Sequence, residues 1–162
     1  MRLGRFIFGA VLAAFIGAGC VTSSNGPVPA GHSKTLTPSS GVDAHAARFV
    51  LCTTPARVTC VVDGDTFWLK GVKIRIADID APEISNPRCD RELELGEQAR
   101  DRLLVLLNAG NFSMIADPRE QDRFGRKLRV VVRSGASIGE QLVAERLASR
   151  WGQPRRNWCR GN

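Results

Sequence analysis

Carboxylate side chains gather at two points of one stretch, residues 61–83, with Arg75 between them. The two groups are the acidic turn Asp63-Gly64-Asp65-Thr66 and the later cluster of Asp78, Asp80 and Glu83. Carboxylate oxygens are the ligands that hard divalent cations prefer, and the forked guanidinium of arginine suits phosphate oxygens. These residue types together predict chemistry on a phosphodiester bond.

Hydrolysis of a phosphodiester needs a base for the attacking water, a cation, and hydrogen-bond donors where negative charge accumulates. Glu83 is the candidate base, because both histidines, His32 and His45, lie in or beside a predicted linker. Structural roles stay open: Glu83 follows a proline and could be an acid that favours the dipole at the beginning of a helix. Asp65 and Asp80 could be exposed turn residues.

The amino-terminal residues have the pattern of an export signal. Arg2 and Arg5 precede an apolar stretch, residues 6–19, which ends at Cys20. At about 1.5 Å per residue a helix of this stretch spans about 21 Å, less than the roughly 30 Å of a hydrocarbon core, so a signal is favoured over a transmembrane helix. The small residues before Cys20 resemble a lipoprotein processing site. We expect lipidation of Cys20, with ordinary cleavage as the alternative, and a periplasmic, secreted or membrane-tethered protein.

Composition divides the 162 residues into three parts. Residues 1–20 are the predicted signal, residues 21–47 a flexible linker rich in Ser, Pro and Gly, and residues 48–162 one domain of ordinary size. We expect this domain to be a monomer. The net charge of +7 comes mostly from arginine, which suits a nucleic-acid partner, although many exported proteins are basic without binding one.

The remaining cysteines form an even set in a chain that is predicted to be exported. They are Cys52, Cys60, Cys89 and Cys159. Such a set predicts two disulfides, and their spacings match no zinc ribbon or redox motif. Of the three possible pairings we favour Cys52 with Cys60, which ties the beginning of the domain to its first strand, and Cys89 with Cys159, which pins the carboxyl tail.

Hydrophobic periodicity predicts five strands, with an amphipathic helix over residues 91–107 inserted after the third. The strands are residues 57–62, 67–70, 73–79, 111–116 and 128–133. A second helix is predicted after Ser137, which begins a capping box, and Trp151 and Trp158 in the tail are interpreted as packing anchors. We therefore predict an α+β fold: a small five-stranded, closed OB-type β-barrel with two or three helices.

Four motifs occur in a definite order along the predicted domain. They are Asp63-Gly64-Asp65-Thr66, then Arg75, then Asp80-Ala81-Pro82-Glu83, and finally Asp122-Arg123-Phe124-Gly125-Arg126. Each is short, but in this order they resemble the staphylococcal-nuclease-like (thermonuclease) family over residues 57–151. The resemblance therefore covers essentially the whole domain.

The resemblance implies a calcium ion held by the carboxylates of Asp65 and Asp80 and by the backbone carbonyl of Ala81. It also implies that Glu83 acts through water. The family usually has threonine at the position of Ala81, but a carbonyl ligand does not depend on the side chain.

The resemblance implies that Arg75 and Arg126 grip the scissile phosphate. Arg123 and Phe124 fall at substrate-binding positions where the family often has lysine and tyrosine. Since the chain contains no tyrosine, a hydroxyl contact from position 124 is lost. A structural pair between Arg126 and Asp122 is the alternative for Arg126.

The resemblance implies a calcium-dependent nuclease that hydrolyses DNA, RNA or both and leaves 3′-phosphates, and the amino-terminal signal predicts that it is exported. The rival is a non-catalytic nucleic-acid-binding OB module tethered to the cell envelope, which would bind in a salt-dependent manner without calcium. A tethered structural lipoprotein is the third reading, and it would gain support if the protein neither bound nor cleaved polynucleotide.

Overall fold

The computed structural model describes residues 43–53 and 56–160. Contacts divide the chain into two units, Met1–Thr37 and Pro38–Asn162, and every described residue belongs to the second. The predicted signal, Cys20, His32 and most of the predicted linker lie outside the described residues. Within the described part of the chain, no helix is both long and apolar enough to cross a lipid bilayer.

The described residues form nine strands and two helices, so the predicted α+β class and helix number are confirmed. In chain order they are β1 Val50–Leu51, β2 Cys60–Asp63, β3 Thr66–Leu69, β4 Val72–Ile76, β5 Ile79–Asp80, α1 Asp90–Asn108, β6 Ser113–Gln121, β7 Lys127–Arg133, β8 Ala136–Ser137, α2 Ile138–Ala144 and β9 Ser149–Arg150. The five predicted strands correspond to β2, β3, β4, β6 and β7. The other four are two residues long, too short to give a periodic signal.

The main sheet has the strand order β1-β2-β3-β4-β7-β6, with β8 paired to β7. Strands β2, β3 and β4 form an antiparallel meander, and β4 pairs with β7 in parallel. The tight turn between β3 and β4 needs two residues with positive φ, Lys70 at 50° and Gly71 at 80°. A separate two-stranded sheet joins β5 to β9.

The prediction of a closed five-stranded barrel is wrong for the described residues, because no pairing joins β6 to β2. Residues 43–51 instead span from one edge to the other. His45 exchanges two backbone hydrogen bonds with Phe112, just before β6, at 2.9 and 3.2 Å. The chain then reaches β1, which pairs with β2. Residues 43–47 belong to the predicted linker, and its boundary stays a prediction.

Helix α1 packs against the sheet through its apolar face and closes the core. Its buried residues include Ala99, Leu103, Leu106 and Leu107, which the sequence places on one face. They meet an aromatic cluster in which the rings of Phe49, Phe67 and Phe112 lie 5.6 to 6.4 Å apart. This core fixes the meander relative to α1, and Gly64 of the acidic turn lies close against Ala99 of the helix.

Helix α2 begins as the sequence predicts. The Ser137 hydroxyl accepts a hydrogen bond from the backbone N–H of Glu140 at 3.1 Å. The Glu140 carboxylate, however, pairs with Arg150 at 2.6 Å, so Glu140 ties α2 to β9. This contact helps to place the segment that follows β9 near the acidic turns.

Both predicted disulfides are confirmed: Cys52 is bonded to Cys60, and Cys89 to Cys159. The second bond joins the residue before α1 to the end of the described chain, 70 residues away. Trp158 beside it is 2% exposed, so its prediction as a packing anchor is confirmed. The carboxyl tail is therefore held to the body of the domain at two adjacent residues.

Removal of the longer disulfide is expected to destabilise the domain more than removal of the shorter one. Loop-closure entropy gives about 4 kcal/mol for the 70-residue separation of Cys89 and Cys159 and about 2.5 kcal/mol for the eight-residue separation of Cys52 and Cys60. Urea unfolding of Cys159→Ser paired with Cys89→Ser, against Cys52→Ser paired with Cys60→Ser, measures the difference. Equal or reversed losses would contradict the entropic account.

Candidate active site

The first acidic turn connects β2 to β3 at a bulge between Val61 and Asp63. The carboxylate of Asp63 accepts a hydrogen bond from the backbone N–H of Asp65 at 3.2 Å, as aspartates do in tight turns. The Thr66 hydroxyl donates to Oδ1 of Asp65 at 2.8 Å. The first bond fixes the backbone of Asp65 and the second its side chain; the residue is 5% exposed.

The second acidic cluster follows β4 and is anchored by the small sheet of β5 and β9. Asp80 pairs with Ser149, and the Ser149 hydroxyl donates to the Asp80 carbonyl at 3.3 Å. The backbone N–H of Ala81 donates to Oδ2 of Asp65 at 3.2 Å. This bond joins the first acidic turn directly to the second acidic cluster, although Asp65 and Ala81 are 16 residues apart in the sequence.

Arg75 on β4 lies between the two acidic turns, as its place in the sequence suggests. Its Nη1 forms an ion pair with Oδ2 of Asp65, and its Nη2 lies 3.2 Å from Oδ1 of Asp80. The two carboxylates therefore face a single cation. All three side chains are largely buried, which strengthens the electrostatic interaction among them.

Arg126 comes from the loop between β6 and β7. Both carboxylate oxygens of Asp122 bind it: Oδ2 accepts a hydrogen bond from Nε of Arg126 at 2.6 Å, and Oδ1 accepts one from its backbone N–H at 3.0 Å. Nη1 of Arg126 lies 3.4 Å from the hydroxyl of Thr66. The pair with Asp122 that the sequence leaves open is thus present, and it also orients Arg126 toward the first acidic turn.

Two exposed aromatic rings flank the arginines. Phe124 is 67% exposed, with the guanidinium groups of Arg123 and Arg126 at 4.7 and 5.5 Å from its ring centre. Trp151 is 50% exposed, and the guanidinium groups of Arg75 and Arg119 lie 5.3 and 5.6 Å from its ring centre. The prediction of Trp151 as a packing anchor is therefore wrong, because the ring faces an open cavity.

All the residues that the sequence predicts for the site line one cavity of about 500 Å³. These predicted residues are Asp65, Arg75, Asp80, Ala81, Glu83, Arg123, Phe124 and Arg126. A second cavity of about 400 Å³ shares the arginines and both rings and continues along the hairpin past Arg119. The arrangement brings carboxylates, arginines and aromatic rings to one concave surface, which is typical of a site for an anionic, ring-bearing ligand.

The charges in the cavity shift its titratable groups. Burial, and then the neighbouring charge of Asp65, raises the pKa of Asp63 to about 7. Burial followed by the charge of Asp65 also raises the pKa of Glu83, while Arg75 opposes the shift. Burial is the largest effect on Arg75 and disfavours its charge, but the carboxylates of Asp65, Asp80 and Asp63 together outweigh burial and raise the arginine's pKa. Glu83 is thereby a stronger base than an ordinary glutamate.

The donor set bears on whether the site fits a divalent cation. Asp65 and Asp80 converge on one cation, Arg75, and both offer the hard oxygens that calcium prefers. Within residues 43–53 and 56–160, however, no group of three or more acidic, histidine or cysteine side chains is placed to hold a metal ion. The residues fit calcium as a pair of carboxylates, which leaves the remaining ligands to backbone carbonyls and water.

Comparison with known families decides the identity of the domain. A family profile described as staphylococcal nuclease homologue matches residues 73–157, slightly more than half of the chain. The chain belongs to the staphylococcal nuclease homologue family. The resemblance that the sequence motifs carry is thereby confirmed. None of the curated proteins compared with the chain matches it.

Three of the four motifs lie within the matched part of this nuclease homologue, from Arg75 to Arg126. The acidic turn of Asp65 precedes it and is joined to it by the bonds to Arg75 and Ala81. The individual roles of these residues stay predictions, since the family match names no residue.

The tail of this nuclease homologue contributes residues that the sequence does not assign to the site. Trp151, Gln153 and Arg155 line the same cavity, and Nε of Arg155 lies 3.9 Å from Oδ2 of Asp80. The signal that could have found them is the tail's basic and aromatic composition, read together with the Cys89–Cys159 disulfide.

Proposed function

We propose that the chain is a calcium-dependent nuclease that hydrolyses phosphodiester bonds of DNA, RNA or both. The observation that carries the proposal is the single cavity that holds Asp65, Asp80, Glu83, Arg75 and Arg126 in a member of this family. Members of the family are generally calcium-dependent. The exposed aromatic rings beside the arginines suit a substrate whose bases can stack.

Each side chain of the cavity has a chemical task in this proposal. Glu83, with its raised pKa, takes a proton from the attacking water. Arg75 and Arg126 donate hydrogen bonds to phosphate oxygens as negative charge develops on them, and their rigid forks suit that geometry. By the family likeness the products carry a 3′-phosphate and a 5′-hydroxyl.

Asp65, Asp80 and the carbonyl of Ala81 would hold the calcium ion. When bound, the ion supplies positive charge against the charge of the reacting phosphate. Asp63 lies directly behind Asp65 and bonds its backbone, so it orients this ligand. Arg75 pairs with both carboxylates and also lies 5.3 Å from the ring centre of Trp151, so it is placed between the predicted calcium ligands and the aromatic side of the cavity.

Chelation of calcium is expected to lower the cleavage rate at least about 10²-fold, because the ion contributes several kcal/mol of charge stabilisation. The full chain is incubated with single- and double-stranded DNA and RNA, with calcium or with an excess of chelator. New 5′-hydroxyl ends, which accept a labelled phosphate directly, report the cleavage. The double-stranded and single-stranded substrates serve as controls for each other.

The same assay separates the nuclease from a binding module. Salt-dependent binding without cleavage, unaffected by chelator, would overturn the proposal and favour the nucleic-acid-binding module. If the chain neither binds nor cleaves any of these polynucleotides, the structural lipoprotein is favoured.

We also propose that the nuclease is exported and monomeric, with Cys20 as a membrane tether. The amino-terminal sequence supports export and the tether, and the two disulfides suit an oxidising compartment. Metabolic labelling with a fatty acid, compared between the chain and Cys20→Ser, tests the tether.

A further inference from the structure

A buried carboxylate outside the cavity lies under the loop that carries Glu83. Glu92, in the first turn of α1, is 1% exposed. Arg88 donates to it three times: its backbone N–H to Oε2 at 2.7 Å, Nε to Oε2 at 3.0 Å, and Nη2 to Oε1 at 3.2 Å. A buried charge is tolerated when it is paired and hydrogen-bonded in this way.

The hydrogen bonds of this carboxylate come from the loop itself. The hydrogen bond from the Arg88 side chain is the largest of several effects that lower the pKa of Glu92, and burial opposes it. The backbone N–H of Glu83 is among the smaller effects that lower the same pKa. Through its three hydrogen bonds to Arg88, Glu92 therefore holds the segment between β5 and α1, in which Glu83 lies, at the end next to the helix.

One helical turn further along, the loop backbone lies against Gly96. A Cβ atom on Gly96 would lie 3.0 Å from the carbonyl oxygen of Pro82, 3.2 Å from that of Glu83, and 2.9 Å from Cγ1 of Ile84. A side chain at this position would push the loop outward by a few tenths of an ångström. The close approach of the loop to the helix thus depends on this glycine.

The first acidic turn rests on the next residue of the same helical face. A Cβ atom on Gly64 would lie 2.5 Å from Cβ of Ala99 and 2.9 Å from Cβ of Ala81. Glu92, Gly96 and Ala99 are spaced by four and three residues, so they share one face of α1. Both acidic turns are therefore set against one rigid surface, with Glu92 at its amino-terminal end.

We propose that Glu92 is a positioning residue of the nuclease: it fixes the place of Glu83 relative to Asp65 and Asp80. This inference rests on the proposed function, in which Glu83 is the base. Glu92 does not line the cavity, so it acts only through the loop. A displacement of about 1 Å in a reacting group can lower the rate roughly 10²-fold, so a small shift of the loop that carries Glu83 should lower the rate measurably.

The test is a double-mutant cycle in the full chain. Glu92→Gln keeps the size of the side chain but weakens its bonds to Arg88 and to the loop. At saturating calcium we expect kcat to fall about tenfold or more, because the displacement of Glu83 should be smaller than the 1 Å that costs roughly 10²-fold. KM should be nearly unchanged. In the Glu83→Gln background the same substitution should have no further effect, since the group that it positions no longer works as a base.

The matched control is Glu145→Gln, which breaks another arginine–glutamate pair, between Arg102 of α1 and the residue that follows α2. Arg102 bonds both oxygens of Glu145 at 2.7 Å, away from the cavity. This variant should keep the kcat of the wild type, and circular dichroism should show every variant fully folded at the assay temperature.

Gly96→Ala is the second variant, in case Glu92→Gln does not fold. It changes no charge, displaces the same loop, and should show the same dependence on Glu83. An equal loss of kcat in both backgrounds, or a wild-type kcat in folded Gly96→Ala and Glu92→Gln, would overturn the inference. A wild-type chain that does not cleave at all, or an undiminished Glu83→Gln variant, would instead contradict the proposed function.

Discussion

Glu83→Gln is expected to lower kcat by about 10²- to 10⁴-fold, the usual contribution of a positioned general base. The amide has the size of the carboxylate but cannot take a proton from water. The Glu83 residue is exposed overall, but it lines the cavity, where partial desolvation of its carboxyl group, followed by the charge of Asp65, raises its pKa. Initial rates at saturating polynucleotide and calcium measure the loss.

The calcium affinity of Glu83→Gln distinguishes a role of Glu83 as the base from a role as a metal ligand. Calorimetry of Glu83→Gln should give nearly the calcium affinity of the wild type, because Asp65 and Asp80 remain. Glu94→Gln, an exposed carboxylate on α1 outside the cavity, is the matched control for loss of charge and should cleave normally. An undiminished kcat in Glu83→Gln would remove the base from the mechanism and leave the calcium requirement standing.

The parts of the site that the sequence predicts well are those that local chemistry determines. The turn at Asp63-Gly64 is a turn because aspartate bonds the backbone two residues on, and the structure has that bond at 3.2 Å. Helix α1 differs from its prediction by one residue at each end, because its apolar spacing and the following Gly110 are strong signals. The fold then brings the residues of the ordered motifs together in one cavity.

The hairpin between β6 and β7 shows why part of the fold could not be predicted. The predicted strand ends at residue 116, but β6 continues to Gln121. This half of the strand is mostly exposed on both sides, so it has no alternation of apolar and polar residues for the sequence to reveal. Only Gln121 at its end pairs with β7, opposite Lys127, and the ladder is irregular between Ala116 and Gln121. Arg119 is thereby carried beside Trp151.

The contribution of the carboxyl tail to the cavity is not predicted, for a different reason. Trp151 and Arg155 reach the cavity because β9 pairs with β5 and because a disulfide pins Cys159 beside α1. Both constraints act between residues that are far apart in the sequence. Neither leaves a periodic pattern in the tail. The tail's basic and aromatic composition and the predicted Cys89–Cys159 disulfide are the signals that bear on its place, but they do not indicate which of its residues reach the cavity.

Arg75→Gln is expected to have two opposite effects. The cleavage rate should fall by about 10²- to 10³-fold, the cost of removing a donor to developing negative charge. Calcium should bind more tightly to the variant, because Arg75 pairs with Asp65 and Asp80 in this structure and competes with the ion for both carboxylates. Rates and calorimetric calcium affinities, measured on the same preparations, test both effects.

Two further variants isolate the cause. Arg75→Lys keeps a positive charge without the fork, so it should recover calcium affinity close to that of the wild type while much of the rate loss remains. Arg129→Gln removes an arginine of β7 that pairs with Glu120 at 3.1 Å and lines neither cavity, so it should leave both quantities unchanged. Arg75→Gln leaves two carboxylates without their cation and is therefore assayed with calcium bound, at a temperature where its circular dichroism is that of the folded chain. A lower rate with unchanged calcium affinity would mean that Arg75 serves the phosphate but does not compete with the ion.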